Sequence, residues 1–295
     1  MDKLILGTNP ILGTNHQSSE VGRRQALFTN VERVTEVLDV ALENGASALN
    51  FSPDSRLYNV LQRLKQDHYQ HEFGIHLMLP DMERFRKVIM AGGTIGVAKE
   101  LYSGVGWGAK ITAAAHSAHA LMRSDYSELI ESYLGLELSR LASVLPSGAR
   151  VSSILAHEQL TDMVLALGGT RMLLEFIKRV RSRGIMPGFV TRNFPLFVDT
   201  FSGTIDWKEV RVMTPFNPIG FQMTPTRTAC ENSISKVSSE NLSAISLLAG
   251  GRVSLKEGLA YLRQMHSIRS IVVGTSSPAH ARETFRALKE CLEES

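Results

Sequence analysis

Two turns rich in small residues, in the last third of the chain, have the composition of an anion-binding site. Gly250 and Gly251 follow one apolar run, and Gly274, Thr275 and Ser276 follow the next. Bare backbone amides between a strand and the helix after it bind phosphate and other anions. These residues therefore predict a site for a phosphate or a dinucleotide, although glycines of this kind also suit tight turns without a ligand.

The helix after the second turn is predicted to add positive charge to that site. Ser277 has the side chain of an N-cap residue, and Pro278 is a residue type favoured at the first position of a helix. His280 and Arg282 then fall in the first turns of this helix. Both side chains can donate hydrogen bonds to a phosphate.

Polar residues in or after other apolar runs suggest proton-transfer chemistry. His157 ends one such run, and Asn50 and His76 lie in two others. Imidazole exchanges protons near neutral pH, so we predict His157 as the catalytic acid or base, helped by His16 or His76 and with Asn50 beside them. His76 alternates with apolar neighbours, which also fits a hydrogen-bonded histidine inside a core.

Four further polar residues are candidates for binding a substrate: Asn9, Arg192, Asn217 and Arg227. Arginine can hold a carboxylate or a phosphate through two parallel hydrogen bonds. The alternative for the arginines is a solvated position at the rim of the fold. The alternative for the asparagines is simple turn chemistry, because each precedes a proline.

Strand and helix periods alternate along the chain and predict the elements that position these residues. Eight apolar runs separated by segments of helical spacing are the pattern of a single (β/α)8 barrel over residues 1–295. In such a barrel the functional residues lie at the carboxyl ends of the strands. The predicted strands are 3–8, 46–52, 73–79, 152–156, 185–190, 210–214, 242–246 and 268–273.

One connection is too long for a regular barrel. Residues 81–150 contain glycine-rich runs and two predicted helices, at 111–123 and 126–145. We interpret 81–150 as an inserted helical segment after strand three, packed outside the ring of helices. It would cap the site or supply a contact in a homo-oligomer.

The composition excludes several other classes of protein. The 295 residues are 43% hydrophobic and 21% charged, and the net charge of +3 is too small and dispersed to favour nucleic acid. No apolar run approaches the length of a membrane span, and no secretory signal precedes the first strand. The sequence predicts no metal site, because metal-ligand spacing is absent for Cys230 and Cys291 and acidic neighbours are absent for His116 and His119. We therefore expect a cytoplasmic protein that acts on a small molecule, without a metal.

The order of these features resembles the aldo-keto reductases. That family carries an Asp and a Tyr after strand two, a Lys on strand three and a His on strand four. Residues 45–52 match its strand-two pattern, which puts Asn50 at the Asp position and Ser55 at the Tyr position. His157 matches the His, whereas residues 74–79 contain no lysine. The resemblance is thus to a divergent branch that lacks the Asp, Tyr and Lys.

The resemblance also implies a site for NADP. Asn193, within Thr191-Arg192-Asn193-Phe194, resembles the residue that holds the nicotinamide carboxamide. The run Gly274-Thr275-Ser276 resembles a loop that binds the cofactor's phosphates. Met213 takes the place of the family's Gln on strand six, and Ile245 or Ser246 takes the place of an aromatic residue that stacks on the ring.

Three functional hypotheses stay open at this point. The first is an acid/base enzyme, of lyase, dehydratase or isomerase type, acting on a small polar or phosphorylated carbonyl compound. The second is a divergent NADP(H)-dependent oxidoreductase in which Tyr58 or His157 replaces the missing acid. The third is a barrel that binds a dinucleotide or a partner without catalysis. The changed Asp, Tyr and Lys positions favour the first, because carbonyl reduction needs a positioned acid.

Overall fold

Short apolar segments of the chain form the strands of a closed parallel barrel. The computed structural model describes residues 2–12, 31–80 and 126–294. Within these ranges each strand pairs with the next in sequence order, and the last strand pairs with the first. The predicted (β/α)8 barrel is confirmed. The strands are β1 (Leu4–Gly7), β2 (Ala48–Phe51), β3 (Phe73–Leu79), β4 (Ala149–Ala156), β5 (Met186–Val190), β6 (Arg211–Pro215), β7 (Leu242–Ile245) and β8 (Ser270–Gly274).

Amphipathic helices cover the outside of the barrel. In the helix Ser55–Gln66, Leu57, Leu61 and Leu64 recur at helical spacing and are buried. Asp54 caps this helix by accepting the backbone N–H of Arg56. The helices in the described ranges are α1 (Val31–Glu43), α2 (Ser55–Gln66), α3 (Tyr126–Val144), α4 (Glu158–Ala166), α5 (Thr170–Arg181), α6 (Phe194–Phe201), α7 (Arg227–Ser233), α8 (Leu255–Gln264) and α9 (Pro278–Glu293).

The helix α3 corrects the interpretation of residues 81–150 as a segment outside the ring. It contacts both α2 and α5, and its residues Leu134 and Leu141 are buried in the main core. It therefore occupies the regular position of the helix between strands three and four. β4 also begins within the predicted insertion, at Ala149. A barrel needs one helix over each pair of strands, and α3 supplies that cover here. The earlier part, 81–125, lies outside the described residues.

Side chains that point into the barrel are apolar in one cluster and polar in another. Ile5, Leu155, Val190, Met213 and Val272 form the apolar cluster. A second set of buried side chains is polar, and several of its members lie at or near the amino ends of their strands. These polar residues are Asp2, His76, Ser153, Arg211, Ser243 and Ser270.

Asp2 organises the polar end of the barrel. Its Oδ2 lies 3.2 Å from His76 Nε2 on β3, and its backbone carbonyl accepts a hydrogen bond of 2.8 Å from Ser270 Oγ on β8. Burial raises the pKa of Asp2, but the hydrogen bond and charge of His76, together with Ser152 and Arg211, outweigh burial and lower it to about 2. The carboxylate is thus charged although only 5% of the residue is exposed.

Candidate active site

His157 lies at the carboxyl end of β4, as predicted. The strand ends at Ala156, and the backbone N–H of His157 donates to the carbonyl of Leu79 on β3 at 2.7 Å. Its imidazole is mostly buried, with 15% of the side chain exposed. Nδ1 accepts the backbone N–H of Gln159 at 3.2 Å and thereby caps α4. The histidine is therefore fixed by a strand on one side and a helix on the other.

A carboxylate and a guanidinium lie directly beside this histidine. Glu158 Oε2 is 3.2 Å from His157 Nδ1, and Glu158 Oε1 accepts a hydrogen bond of 3.0 Å from Arg192 Nη2. An unprotonated Nδ1 can accept the N–H of Gln159, whereas a protonated Nδ1 can donate to Glu158. Each protonation state of the imidazole has its own partner, which suits a residue that gains and loses a proton.

Asp162 is a site residue that the sequence reasoning missed. Its Oδ1 accepts from the hydroxyl of Thr191 at 2.5 Å, and its Oδ2 accepts from the backbone N–H of Arg192 at 3.0 Å. The available signal was spacing, because Asp162 follows Glu158 by four residues and so shares its helix face. Because no helix was predicted over Glu158–Ala166, a spacing of four residues could not be used to place these two side chains on one helix face.

Asn50 and His76 are neighbours inside the barrel, but His76 does not reach the mouth. The two residues are opposite each other in the register of β2 and β3. His76 is fully buried, its Nδ1 lies 2.8 Å from Ser153 Oγ, and its Nε2 faces Asp2. Ser153 precedes His157 by four residues on β4, which is about 13 Å along a strand. The expected contact between His76 and His157 is therefore not formed, and the alternative of a hydrogen-bonded core histidine describes His76.

Three buried polar atoms near the carboxyl ends of the strands have no hydrogen-bond partner. They are Asn50 Oδ1 on β2, Thr214 Oγ1 on β6 and Thr275 Oγ1 in the loop after β8. A buried polar atom without a partner costs about 1–3 kcal/mol, and such atoms often mark the place of a ligand or a water. Thr275 is only 4% exposed, so its hydroxyl cannot be satisfied by bulk solvent.

In the loop after β7, backbone amides of the predicted anion site donate hydrogen bonds to carbonyls of the same loop. The N–H of Ala249 donates to the carbonyl of Ser246, and the N–H of Gly251 donates to the carbonyl of Leu248. Gly250 and Gly251 both have positive φ, at 68° and 92°. That geometry explains the glycines by the turn alone.

The loop after β8 begins the last helix as predicted. Ser277 caps α9 by accepting the backbone N–H of His280, and Pro278 is the first helical residue. His280 and Arg282 are both exposed in the first turns of α9. A side chain at Gly274 would place its Cβ 2.5 Å from Pro10 Cδ. Packing against the loop after β1 therefore explains this glycine.

The residues expected to hold a nicotinamide ring do not fit it. Asn193 uses its side-chain oxygen to cap α6, accepting the N–H of Leu196 at 3.3 Å. Met213 is fully buried in the apolar cluster of the barrel interior. Ser246 Oγ lies 3.3 Å from Gln222 Oε1. The amide of Asn193 caps a helix and Met213 supplies a thioether, where the family has polar groups that bind the carboxamide. Ser246 supplies a small hydroxyl, where the family has an aromatic ring.

Asn217 and Arg227, two of the four candidate substrate residues, are hydrogen-bonded to residues close to them in the sequence. Asn217 is fully buried, and its amide both donates to the carbonyl and accepts from the N–H of Phe221. Arg227 pairs with Glu231 at 2.7 Å and donates to the carbonyl of Pro218. Asn9 lies just after β1 and is exposed. Arg192 is the candidate that lies beside His157.

Tyr58 lies at the contact between α2 and α3. It is the fourth residue of α2, and its hydroxyl donates to Glu137 on α3 at 3.0 Å. Arg140 Nη1 donates to the same carboxylate. The phenol is thus part of a buried contact between two helices.

Some expectations fall outside the described residues. His16, His116, His119 and the predicted helix at 111–123 are among them. Within the described ranges, no cluster of three or more His, Cys, Asp or Glu side chains has the arrangement of a metal site. In the same ranges, no helix combines the length and the apolar character that a membrane span needs.

Comparison with known proteins relates the fold to one family. No protein-family model matches the chain, and no curated protein matches it. Two solved structures from Pseudomonas aeruginosa, each described as a "putative aldo-keto reductase", are 15% identical to it, with TM-scores of 0.55 and 0.56. Each comparison covers 98% of this chain and 90% of the other. The chain therefore has a (β/α)8 barrel similar in fold to that of aldo-keto reductases, and its chemistry has to be argued from its own residues.

Proposed function

We propose that this chain is an acid/base enzyme that moves a proton on a small phosphorylated hydroxy-carbonyl compound, in a reaction of the isomerase or lyase type. The observation that carries the proposal is the pair of partners at His157 Nδ1. Glu158 stabilises the protonated imidazole, and the N–H of Gln159 stabilises the unprotonated nitrogen. Because Nδ1 is engaged on its own helix, the exchange with substrate would use Nε2.

The proposed reaction starts from this arrangement. Nε2 of His157 removes a proton from the carbon next to the substrate carbonyl, and the electron pair moves to the carbonyl oxygen as an enediolate. The imidazolium that results donates from Nδ1 to Glu158, whose charge is held in place by Arg192. Return of the proton to the former carbonyl carbon, with transfer of the hydroxyl proton from one oxygen of the enediolate to the other, completes an isomerisation. Expulsion of a leaving group from the carbon on the other side of the deprotonated carbon completes an elimination instead. Such a positioned base contributes about a hundredfold to ten-thousandfold in rate.

Two buried groups support a polar, phosphorylated substrate. Asn50 Oδ1 lacks a hydrogen-bond donor, and a substrate hydroxyl would supply one. Thr275 Oγ1 lacks a partner at the loop after β8, where phosphate is commonly held in barrels. Chemistry without a nicotinamide is favoured by the partners of Asn193 and the buried position of Met213.

The proposal is tested by hydrogen–deuterium exchange in D2O, followed by proton NMR. The probes are dihydroxyacetone phosphate and glyceraldehyde phosphate, with the unphosphorylated compounds as controls. We expect the wild-type protein to exchange the proton next to the carbonyl of a phosphorylated probe, and we expect no oxidation of NADPH in a parallel absorbance assay. Oxidation of NADPH without exchange would favour a reductase. Binding of NADPH with neither activity would favour a barrel without catalysis.

The phosphate subsite is tested by Thr275→Val. This change removes a buried hydroxyl without a partner and keeps the shape of the side chain, so we expect equal or higher stability. If the hydroxyl binds phosphate, affinity for inorganic phosphate falls about tenfold, measured by isothermal titration calorimetry. An unchanged affinity would contradict the assignment. Gly274→Val is a poorer test, because its Cβ would collide with Pro10.

A further inference from the structure

Asp162 joins the helix capped by His157 to the loop after β5. Its carboxylate accepts from the hydroxyl of Thr191 and from the backbone N–H of Arg192. Thr191 is fully buried, and its Oγ1 accepts the backbone N–H of Asn193 at 3.1 Å. A single carboxylate on α4 therefore fixes the path of three consecutive loop residues.

Arg192 is held at two points by the same face of α4. Its backbone N–H donates to Asp162, and its guanidinium donates to Glu158. Glu158 and Asp162 are four residues apart, so both carboxylates project from one side of the helix. Glu158 also faces the imidazole of His157. The guanidinium of Arg192 partly neutralises Glu158, so its position affects how strongly the charge of Glu158 stabilises a protonated His157.

We propose that Asp162 is a positioning residue of this site, which sets the proton affinity of His157 by holding Arg192 against Glu158. This inference rests on the proposed function, because it concerns the same histidine, and it adds a residue that the reaction itself does not touch. Burial, together with the charge of Glu158, raises the pKa of the Asp162 carboxyl above its ordinary value, and its hydrogen bonds to Thr191, Arg192 and Asn193 offset this rise only in part. The loop donors therefore favour the charged form of Asp162, just as Asp162 orders the loop.

The test is a double-mutant cycle read from the titration of His157, by NMR of its imidazole in the protein without substrate. Thr191→Val removes the hydroxyl that donates to Asp162 and changes no charge. Release of Arg192 from Glu158 leaves more negative charge beside His157, so the midpoint rises by about 0.3–0.5 pH units. In a protein that already carries Arg192→Met, the same Thr191→Val change is expected to leave the midpoint where it is.

Asp162→Asn provides the second arm of the cycle. It removes a charge as well as an acceptor, and the direct effect of the charge is the same whether Arg192 is present or replaced by Met. A difference of about 0.3 pH units between the two backgrounds therefore measures the effect transmitted through Arg192. Equal shifts in both backgrounds, for Thr191→Val and for Asp162→Asn, would overturn the proposal.

The titration separates this proposal from the proposed function, since it needs no substrate. Coupling of Asp162 to His157 without any proton exchange on the carbonyl probes would leave the positioning role standing and remove the proposed activity. Proton exchange on the probes without coupling of Asp162 to His157 would support the proposed activity and contradict the positioning role. Circular dichroism of each variant checks that the barrel is folded, and Thr191→Val keeps the cycle usable if Asp162→Asn is unfolded.

Discussion

Replacing His157 by Asn is expected to abolish exchange of the substrate proton while leaving the barrel folded. Asn is among the best N-cap residues, so it can still accept the N–H of Gln159 and start α4. It cannot take up a proton near neutral pH. We therefore expect a loss of about a hundredfold to ten-thousandfold in kcat, measured by NMR exchange. The change in thermal midpoint should be small.

Two further variants control this experiment. His157→Ala removes both the base and the cap, so it should lose the same activity and in addition about 1 kcal/mol of stability. Tyr58→Phe removes a hydroxyl that donates to Glu137, far from the reaction, and should keep full activity. If Tyr58→Phe were inactive and His157→Asn active, a phenol would be the proton donor and the proposed mechanism would be wrong.

Replacing Asp2 by Ala is expected to cause the largest loss of stability. Asp2 faces His76, and its negative charge acts on the buried guanidinium of Arg211. Its removal takes the carboxylate away from the Nε2 of His76 and leaves the charge of Arg211 without compensation in the barrel interior. Removal of one partner from a buried charged group costs about 3–5 kcal/mol. Urea unfolding followed by circular dichroism measures this loss.

The same network makes stability depend on acid. The pKa of Asp2 is lowered from 3.8 to about 2 on folding, which corresponds to about 2 kcal/mol of stabilisation. This contribution is complete above about pH 4 and is lost as the pH falls through 2. Burial lowers the pKa of His76, the charge of Arg211 lowers it further, and Asp2 opposes both effects. The folded protein therefore binds this proton less readily than the unfolded chain does, so His76 also reduces stability as the pH falls below 6.5, the ordinary pKa of histidine.

Asp2→Asn isolates the acid effect. Asn can still accept a hydrogen bond from His76 but carries no charge, so stability should fall less steeply than in the wild type between pH 4 and pH 2. Asp199→Asn is the matched control, because Asp199 is exposed and pairs only at the surface with Lys236. An unchanged pH profile for Asp2→Asn would show that Asp2 does not contribute as its contacts indicate.

The fold could be predicted because its signals are local. Runs such as 73–79 and 185–190 are mostly apolar over the length of a strand, and segments of helical spacing separate the runs. The position of α3 could not be predicted in this way. Whether residues 126–144 lie in the ring or outside it depends on their contacts with α2 and α5, which are distant in sequence. Periodicity shows that a helix has an apolar face but not what covers it.

The place of a site residue could be predicted only where that residue directly follows a predicted strand. His157 directly follows β4, so its place at the mouth followed from the fold. His76 lies in the middle of β3, and its role depends on Asp2, which is far away in the sequence. Asn217 and Arg227 are residue types that bind ligands, but here they bind their own loops. Hydrogen bonding within a loop cannot be distinguished from ligand binding by residue type.

The hydrogen bond between Asp2 and Ser270 joins residues 268 positions apart, and the pairing of β1 with β8 lies beside it. On the ribosome, β1 emerges first and must wait for almost the whole chain before its second neighbour exists. During that time two strand edges are open, and an open edge can pair with another chain. Closure of the barrel is therefore expected to be the last and slowest step of folding. Truncation before β8 would leave both edges exposed and produce aggregates rather than a smaller barrel.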